Sequence, residues 1–143
     1  MLTTKTRIKN NKKEIFDPIR KIFVPLTPEE AVRQAYILHL VNDLSVPPIE
    51  ISVEKKIVYS GQTKKYDIVA QHIDKCLVVV ECKAPSVALQ PKTLQQAAMY
   101  NHILHAKYIV LINGEQCLVY MEQQGEYLPI KALPSYREML KNI

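Results

Sequence analysis

The sequence predicts an α/β domain, a mixed β-sheet flanked by helices in the order α-β-β-β-α-β-β. Three observations carry this reading. A helical stretch with a strong start signal opens at Thr27, three strand-like runs follow between Ile49 and Cys82, and a second helical stretch separates them from two more strand-like runs. A helical crossover between the third and fourth strands implies that those two lie parallel in one sheet. At 143 residues the chain is long enough for a single hydrophobic core.

Residues 1–26 read as a basic arm and a Pro-punctuated, irregular lead-in, and residues 27–143 as the α/β domain. Thr27-Pro28-Glu29-Glu30 supplies an N-cap, a proline at the first helical position and, in Glu30, the acid of a capping box. Ala31, Ala35, Leu38 and Val41 recur at helical spacing and carry the helix to about Asp43, and Pro47-Pro48 blocks any continuation. Ile49 to Glu54 alternates as a half-buried strand that extends toward Tyr59, and Ser60 to Lys64 is a turn. Lys65 to Ala70 and Leu77 to Cys82 are two apolar strands around a polar turn. Leu89 to His105 is helical, with Leu94, Ala97, Ala98 and Leu104 buried. Tyr108 to Ile112 is an unbroken apolar run, hence a buried strand, joined through Asn113-Gly114-Glu115 to Gln116–Met121. Pro129 and Pro134 keep Leu128 to Tyr136 out of any central strand, and residues 135–142 form a short final helix.

Charge is unevenly placed. Residues 1–21 hold seven of the nineteen Lys and Arg but two of the fourteen acids, so the whole excess of +5 sits there and the remainder is formally neutral. Such an arm suits a polyanion like a nucleic-acid backbone; a merely solvated terminus is the alternative. Three cysteines without CxxC spacing give neither a disulfide framework nor a zinc site, and Cys76 and Cys82 read as small core residues. There is no apolar leader and no run of membrane-spanning length, so a reducing cytoplasm is expected and a membrane partner is not.

One cluster carries chemistry. Pairing of the two central strands sets Asp67 beside Glu81, while the two-residue period puts Glu81 and Lys83 on one face with Cys82 pointing the other way. Two carboxylates plus a backbone carbonyl make a hard oxygen environment suited to Mg²⁺ or Mn²⁺. A neighbouring lysine can orient or deprotonate water, or neutralise charge on a phosphate. The alternative is an ordinary salt bridge between Glu81 and Lys83 on an exposed strand.

Asp67…Glu81-Cys82-Lys83 resembles the PD-(D/E)xK nuclease signature. In chain order, Pro28-Glu29-Glu30-Ala31-Val32-Arg33-Gln34, Tyr66-Asp67-Ile68-Val69, Val80-Glu81-Cys82-Lys83-Ala84-Pro85 and Gln96-Ala97-Ala98-Met99-Tyr100-Asn101 are similar to the N-terminal nuclease domain of type I restriction enzyme R subunits, particularly short stand-alone relatives. Leu111-Ile112-Asn113-Gly114 and Leu133-Pro134-Ser135-Tyr136 also look like it, and the resemblance covers roughly residues 27–136. It implies a restriction-endonuclease-like fold and a Mg²⁺- or Mn²⁺-dependent endonuclease acting on DNA. Carried over by position, Asp67, Glu81 and the Cys82 carbonyl would hold the metal and Lys83 would be the catalytic lysine. Gln96 and Tyr100 would touch DNA or brace the lysine; a polar helix flank with a half-buried tyrosine is the alternative. Glu30 is a further metal-ligand candidate that its capping-box place also explains. His102 and His105 have no third ligand nearby in sequence and read as a solvated helix end.

The chain has no GxxxxGK(S/T) loop, hence no ATP site, and no helix-turn-helix or zinc module for target choice. Translocation or specificity would come from a motor or specificity subunit. Two competing readings remain: a non-catalytic nucleic-acid-binding module on the same fold, dependent on a partner, and a plain interaction protein whose charges are surface salt bridges.

Overall fold

The computed structural model describes residues 1–143. Its centre is a six-stranded sheet made of β4 (Ile51–Tyr59), β5 (Gln62–His72), β6 (Lys75–Cys82), β7 (Tyr108–Ile112), β8 (Cys117–Gln123) and β9 (Glu126–Ile130) in that spatial order. Every neighbouring pair is antiparallel except β6 and β7, which run parallel across the crossover helix α2 (Pro91–Leu104), as the strand–helix–strand order requires. Helix α1 (Pro28–Leu38), its π-helical continuation His39–Asp43 and the C-terminal α3 (Tyr136–Lys141) pack on one face; α2 packs on the other. This is the mixed, helix-flanked sheet of a restriction-endonuclease-like fold. No helix is long and apolar enough to cross a membrane.

Each face carries its own core. Ile37, Leu40, Ile68, Val78, Val80, Tyr108, Val110 and Met139 pack on the α1 side. Val69, Val79, Ala97, Ile109 and Leu111 pack on the α2 side. β6 and β7 are therefore buried on both faces, which is why they read as continuous Val- and Ile-rich runs. Pro129 lies in β9, at the edge of the sheet, where its missing N–H costs no ladder bond.

Residues 1–26 differ from the arm and irregular lead-in expected of them. β1 (Thr6–Lys9), β2 (Lys12–Asp17) and β3 (Ile22–Pro25) form a separate antiparallel meander. The turn between β1 and β2 is Asn10-Asn11, both at positive φ, a hairpin signal that asparagine can satisfy without glycine. The frequent lysines of β1 and β2 hide the strand pattern, because this sheet buries only one narrow face with Ile15 and Val24.

Two loop motifs have structural work. Gly114 sits at φ +91°, strained for any other residue, and a Cβ there would lie 3.3 Å from Val32 Cγ2, so a larger residue would push the end of β7 against α1. The Tyr136 hydroxyl donates to Glu50 at 2.6 Å and its N–H to the Leu44 carbonyl at 2.8 Å, pinning α3 against the start of β4.

Ile37 is fully enclosed where α1 meets the sheet. Ile37→Ala should cost about 2–5 kcal/mol through lost burial and the cavity it leaves. Urea unfolding measures this, and an unchanged midpoint would mean that α1 does not pack as described.

Candidate active site

The strand pair β5–β6, bulged between Ala70 and Gln71, pairs as far as Ile68 opposite Val80. Beyond that point the backbones part. The next rung would join Tyr66 to Cys82, but the Cys82 N–H instead donates to Asp67 Oδ2 at 2.8 Å. A carboxylate thus completes the end of the ladder. On its far side, β6 continues to pair with β7, since the Lys83 N–H donates to the Ile112 carbonyl at 2.8 Å.

A second irregularity coincides with the first. In β4, Val53 pairs with Ile68 and Lys55 with Tyr66, yet Glu54 and Asp67 between them do not pair, and Glu54 has φ +55°. A strict two-residue alternation would put Ile51, Val53, Ile57 and Tyr59 on one face. Instead Ile51 and Val53 pack on the α1 side while Ile57 and Tyr59 pack on the α2 side. The ribbon therefore switches faces at Glu54–Asp67. A left-handed residue other than glycine costs free energy, and such outliers concentrate at functional positions.

Four carboxylates meet here. Arg33, one turn into α1, donates from Nη1 to Glu30 at 2.7 Å and to Glu54 at 3.2 Å, and from Nη2 to Asp67 Oδ1 at 2.7 Å. Gln34 Nε2 donates to the other Glu30 oxygen at 3.1 Å. Arg20, from the turn before β3, reaches Asp17 at 2.7 Å, Glu30 at 3.4 Å and Glu54 at 3.7 Å, hooking the N-terminal meander onto the cluster. On the α2 side, Lys64 Nζ donates to Glu81 Oε2 at 2.8 Å. The second oxygen, Glu81 Oε1, is buried and has no partner.

Burial sets the electrostatics. It raises the Glu81 carboxyl above its ordinary value; Lys64 and Lys83 pull the other way, and the neighbouring Asp67 adds to the rise. Burial also opposes the charge on Arg33, but Asp67, Glu30 and Glu54 outweigh it and the guanidinium is held above its ordinary value. Burial would raise Asp17 too, yet the Arg20 and Ile19 hydrogen bonds hold it below the usual range.

Of the residues singled out by sequence, Asp67 and Glu81 lie on adjacent strands where their pairing ends, and Lys83 lies just past β6, near enough for its charge to act on Glu81. Lys83 is half-buried, and its amine forms no ion pair or side-chain hydrogen bond. Cys82 turns its thiol the other way, into the α1-side core. Gln96 is exposed; Tyr100 is buried, and its hydroxyl reaches Gln62 at 3.4 Å rather than Lys83. Glu30 does not close a capping box. The Thr27 side chain accepts the Glu30 N–H at 3.0 Å as a cap should, but the Thr27 N–H goes to the Pro25 carbonyl, and the Glu30 carboxylate joins Arg33 and Gln34. Arg33 and Gln34 draw it inward, so the capping explanation no longer accounts for it. His102 stacks on Tyr59 with ring centroids 6.4 Å apart, a packing role.

The sequence reading missed Arg20, Arg33, Glu54 and Lys64. Arg33 was signalled by its i,i+3 spacing from Glu30. Glu54 and Lys64 sit in an ordinary-looking strand pair, and no local pattern marks a face switch there. No group of three or more His, Cys, Asp or Glu side chains is arranged to hold a metal ion. A cation at this place would rest on Asp67, Glu81 and the Cys82 carbonyl, and the unpartnered, buried Glu81 Oε1 is an oxygen that such an ion would satisfy.

Comparison with known proteins agrees with the chain's landmarks. The sequence profile of the type I restriction enzyme R protein N terminus matches residues 28–134. A solved structure described as a fragment of a candidate HsdR subunit of a type I restriction enzyme, from Vibrio vulnificus YJ016, aligns with a TM-score of 0.61 at 21% identity, covering 81% of this chain and 25% of that one. The chain spans about a quarter of that structure's length, and likeness at this identity concerns the fold. No curated protein matches the chain.

In the metal-free protein the raised Glu81 carboxyl has a pH signature. Below the ordinary value of 4.5, folded and unfolded chains both carry the proton. Between that value and the raised one, the unfolded chain releases it while the folded chain keeps it, so Glu81 subtracts stability as pH rises through the window. Glu81→Gln should abolish that loss. Urea unfolding from about pH 4 to about pH 8 should show the variant gaining on the parent as pH rises; parallel curves would refute the assignment.

Proposed function

Because the chain belongs to the family of type I restriction enzyme R protein N-terminal domains, we propose that it is a metal-dependent endodeoxyribonuclease of PD-(D/E)xK type. The observation that carries the reading is the end of β5–β6 pairing, where Asp67 and Glu81 lie on neighbouring strands near enough for the Asp67 charge to act on Glu81, with the unpaired Lys83 close by. A restriction or DNA-processing role follows from the family; the hydrolytic activity is our reading of the site.

In this reading Asp67, Glu81 and the Cys82 carbonyl would hold Mg²⁺ or Mn²⁺, which would supply Lewis-acid chemistry for a phosphoryl oxygen and for water. Each protein group then has a distinct task. Glu81 would ligate as the carboxylate, the form that Lys64 at 2.8 Å favours. Arg33 holds Asp67 in place through Oδ1 while the Cys82 N–H fixes Oδ2. Glu30, fastened by Arg33 and Gln34, supports Arg33 from behind. The Lys83 amine, with no partner of its own, is free to orient the attacking water or take up charge on the phosphate. DNA is the substrate, Gln96 offers an exposed amide toward it, and ATP-driven movement and target choice are assigned to a motor or specificity subunit.

A second reading has one observation in its favour. Asp67 and Glu81 are already neutralised by Arg33 and Lys64, as in a closed ion-pair network. On this reading the chain is a non-catalytic nucleic-acid-binding module that depends on a partner.

Plasmid cleavage with Mg²⁺, Mn²⁺ or EDTA, alongside calorimetric metal titration, separates the two. The nuclease reading expects Lys83→Ala to keep metal binding and to lose about 10²–10⁴-fold in cleavage rate. Glu81→Gln should lose both together. A parent protein that binds neither metal at millimolar concentration, with or without DNA, would leave only the binding module.

A further inference from the structure

The distal half of the β4–β5 hairpin leaves the sheet. Five cross-strand pairs, from Lys55–Tyr66 to Tyr59–Gln62, continue beyond the last rung that β5 shares with β6. A free two-stranded ribbon is marginal in water, and this one is fastened along one face only. Ile57 and Tyr66 are buried against α2, the Tyr66 hydroxyl donates to the Ala97 carbonyl at 2.7 Å, and Tyr59 packs edge-on to Tyr100. The other face is bare. It carries Lys56 opposite Lys65 and Val58 opposite Thr63, all exposed, Val58 at 64%.

The pattern is electrostatically unfavourable as it stands. Like charges directly opposite one another on a strand pair repel. Lys56 has no ion-pair partner, and Lys65 reaches only Glu54, at 3.9 Å. No acid lies between Lys55 and Tyr66 to relieve the pair. An external anion would relieve it, and the bare face runs directly into the Glu54–Asp67 switch. Five residues of strand extend roughly 17 Å at about 3.4 Å each, and a B-form major groove about 12 Å wide admits a two-stranded ribbon.

We propose that this outer face, Lys56, Val58, Thr63 and Lys65, docks into the major groove of duplex DNA, its lysines on phosphates and Val58 with Thr63 toward base edges. Delivery of a phosphate to the carboxylate pair rests on the nuclease reading; the docking itself does not.

The test is binding of a labelled DNA duplex in EDTA, where no cleavage occurs, across a range of salt. Lys56→Gln/Lys65→Gln should bind more weakly, and the slope of log K against log salt should shrink by about 1.8 for two lost phosphate contacts. Lys56→Arg/Lys65→Arg should restore affinity, and thermal unfolding of each variant shows that the exposed changes leave the fold intact. Duplex RNA, whose major groove is too deep and narrow for side chains to read, should compete less well than DNA. Unchanged affinity and slope in the glutamine variant overturn the proposal, as does a parent that binds no duplex. Equal competition by duplex RNA overturns groove entry. A parent that binds through these lysines yet never cleaves with Mn²⁺ sinks the nuclease reading and leaves the docking face standing.

Discussion

Arg33 is the interaction on which the arrangement of the site depends. Its guanidinium bridges a carboxylate on its own helix, one on β4 and one on β5. Three acids so close, two of them nearly buried, would repel strongly in a low-dielectric setting, and a planar cation with several fixed donors is the group that can answer them together. The pair with Asp67 also ties α1 to the strand ends, so helix position and carboxylate position are set by one residue. Lysine would replace it poorly, because a compact ammonium lacks the planar fork whose Nη1 and Nη2 reach separate carboxylates. Arg20 repeats the device from outside, and through it the small N-terminal meander is anchored to Glu30 and Glu54 rather than hanging free.

The backbone makes that cluster possible. Polar groups cannot occupy the middle of a doubly covered sheet, yet Asp67 and Glu81 lie within one or two residues of fully buried valines and isoleucines. The resolution lies in where regular pairing stops. β5 parts from β6 just after Ile68, and β4 reverses its faces at Glu54. Each break removes a rung whose backbone groups must find another partner. Asp67 supplies one such partner to the Cys82 N–H, so the same carboxylate that belongs to the site also seals the damaged ladder. Strand irregularity and charge are consequences of one another here.

This explains what the sequence could and could not tell. The order from α1 to β8, the parallel β6–β7 pairing and the placing of Asp67 and Glu81 on neighbouring strands follow from patterns that survive in one dimension: caps, apolar runs and the two-residue period. The N-terminal strands β1–β3 and the edge strand β9, interrupted by Pro129, do not. The face switch at Glu54 has no such signature, because a glutamate in an alternating strand looks ordinary whether or not its φ is positive. Arg33 and Lys64 are partners across 34 and 17 residues of chain, and long-range charge pairing leaves no local trace. Glu30 shows the opposite failure. A capping box is a sufficient local account of an acid at that position, but Arg33 and Gln34, three and four residues on along the same helix, take the carboxylate instead. The Asn10-Asn11 hairpin turn was present in the sequence but masked by the lysines around it.

The two cationic contacts do not have equal bearing on whether the site can accept a metal. Arg33 engages Asp67 Oδ1 as one of three carboxylate partners and is itself largely buried, so withdrawing it would leave Asp67 without a cation and Glu30 and Glu54 with only the longer contacts of Arg20 and Lys65. Lys64 is more accessible and holds a single oxygen of Glu81, leaving the other buried and unmatched. A flexible ammonium on a four-carbon stem can follow the carboxylate or withdraw toward solvent with little rearrangement. The asymmetry makes Glu81 the adjustable side and Asp67 the fixed side of the pair. A divalent ion arriving between them would complete the unsatisfied oxygen and favour ionised Glu81, while the arginine framework stays in place. The charge balance points the same way. Burial raises the Glu81 carboxyl while Lys64 opposes that rise, so a divalent ion would add to what Lys64 already does in favouring the carboxylate.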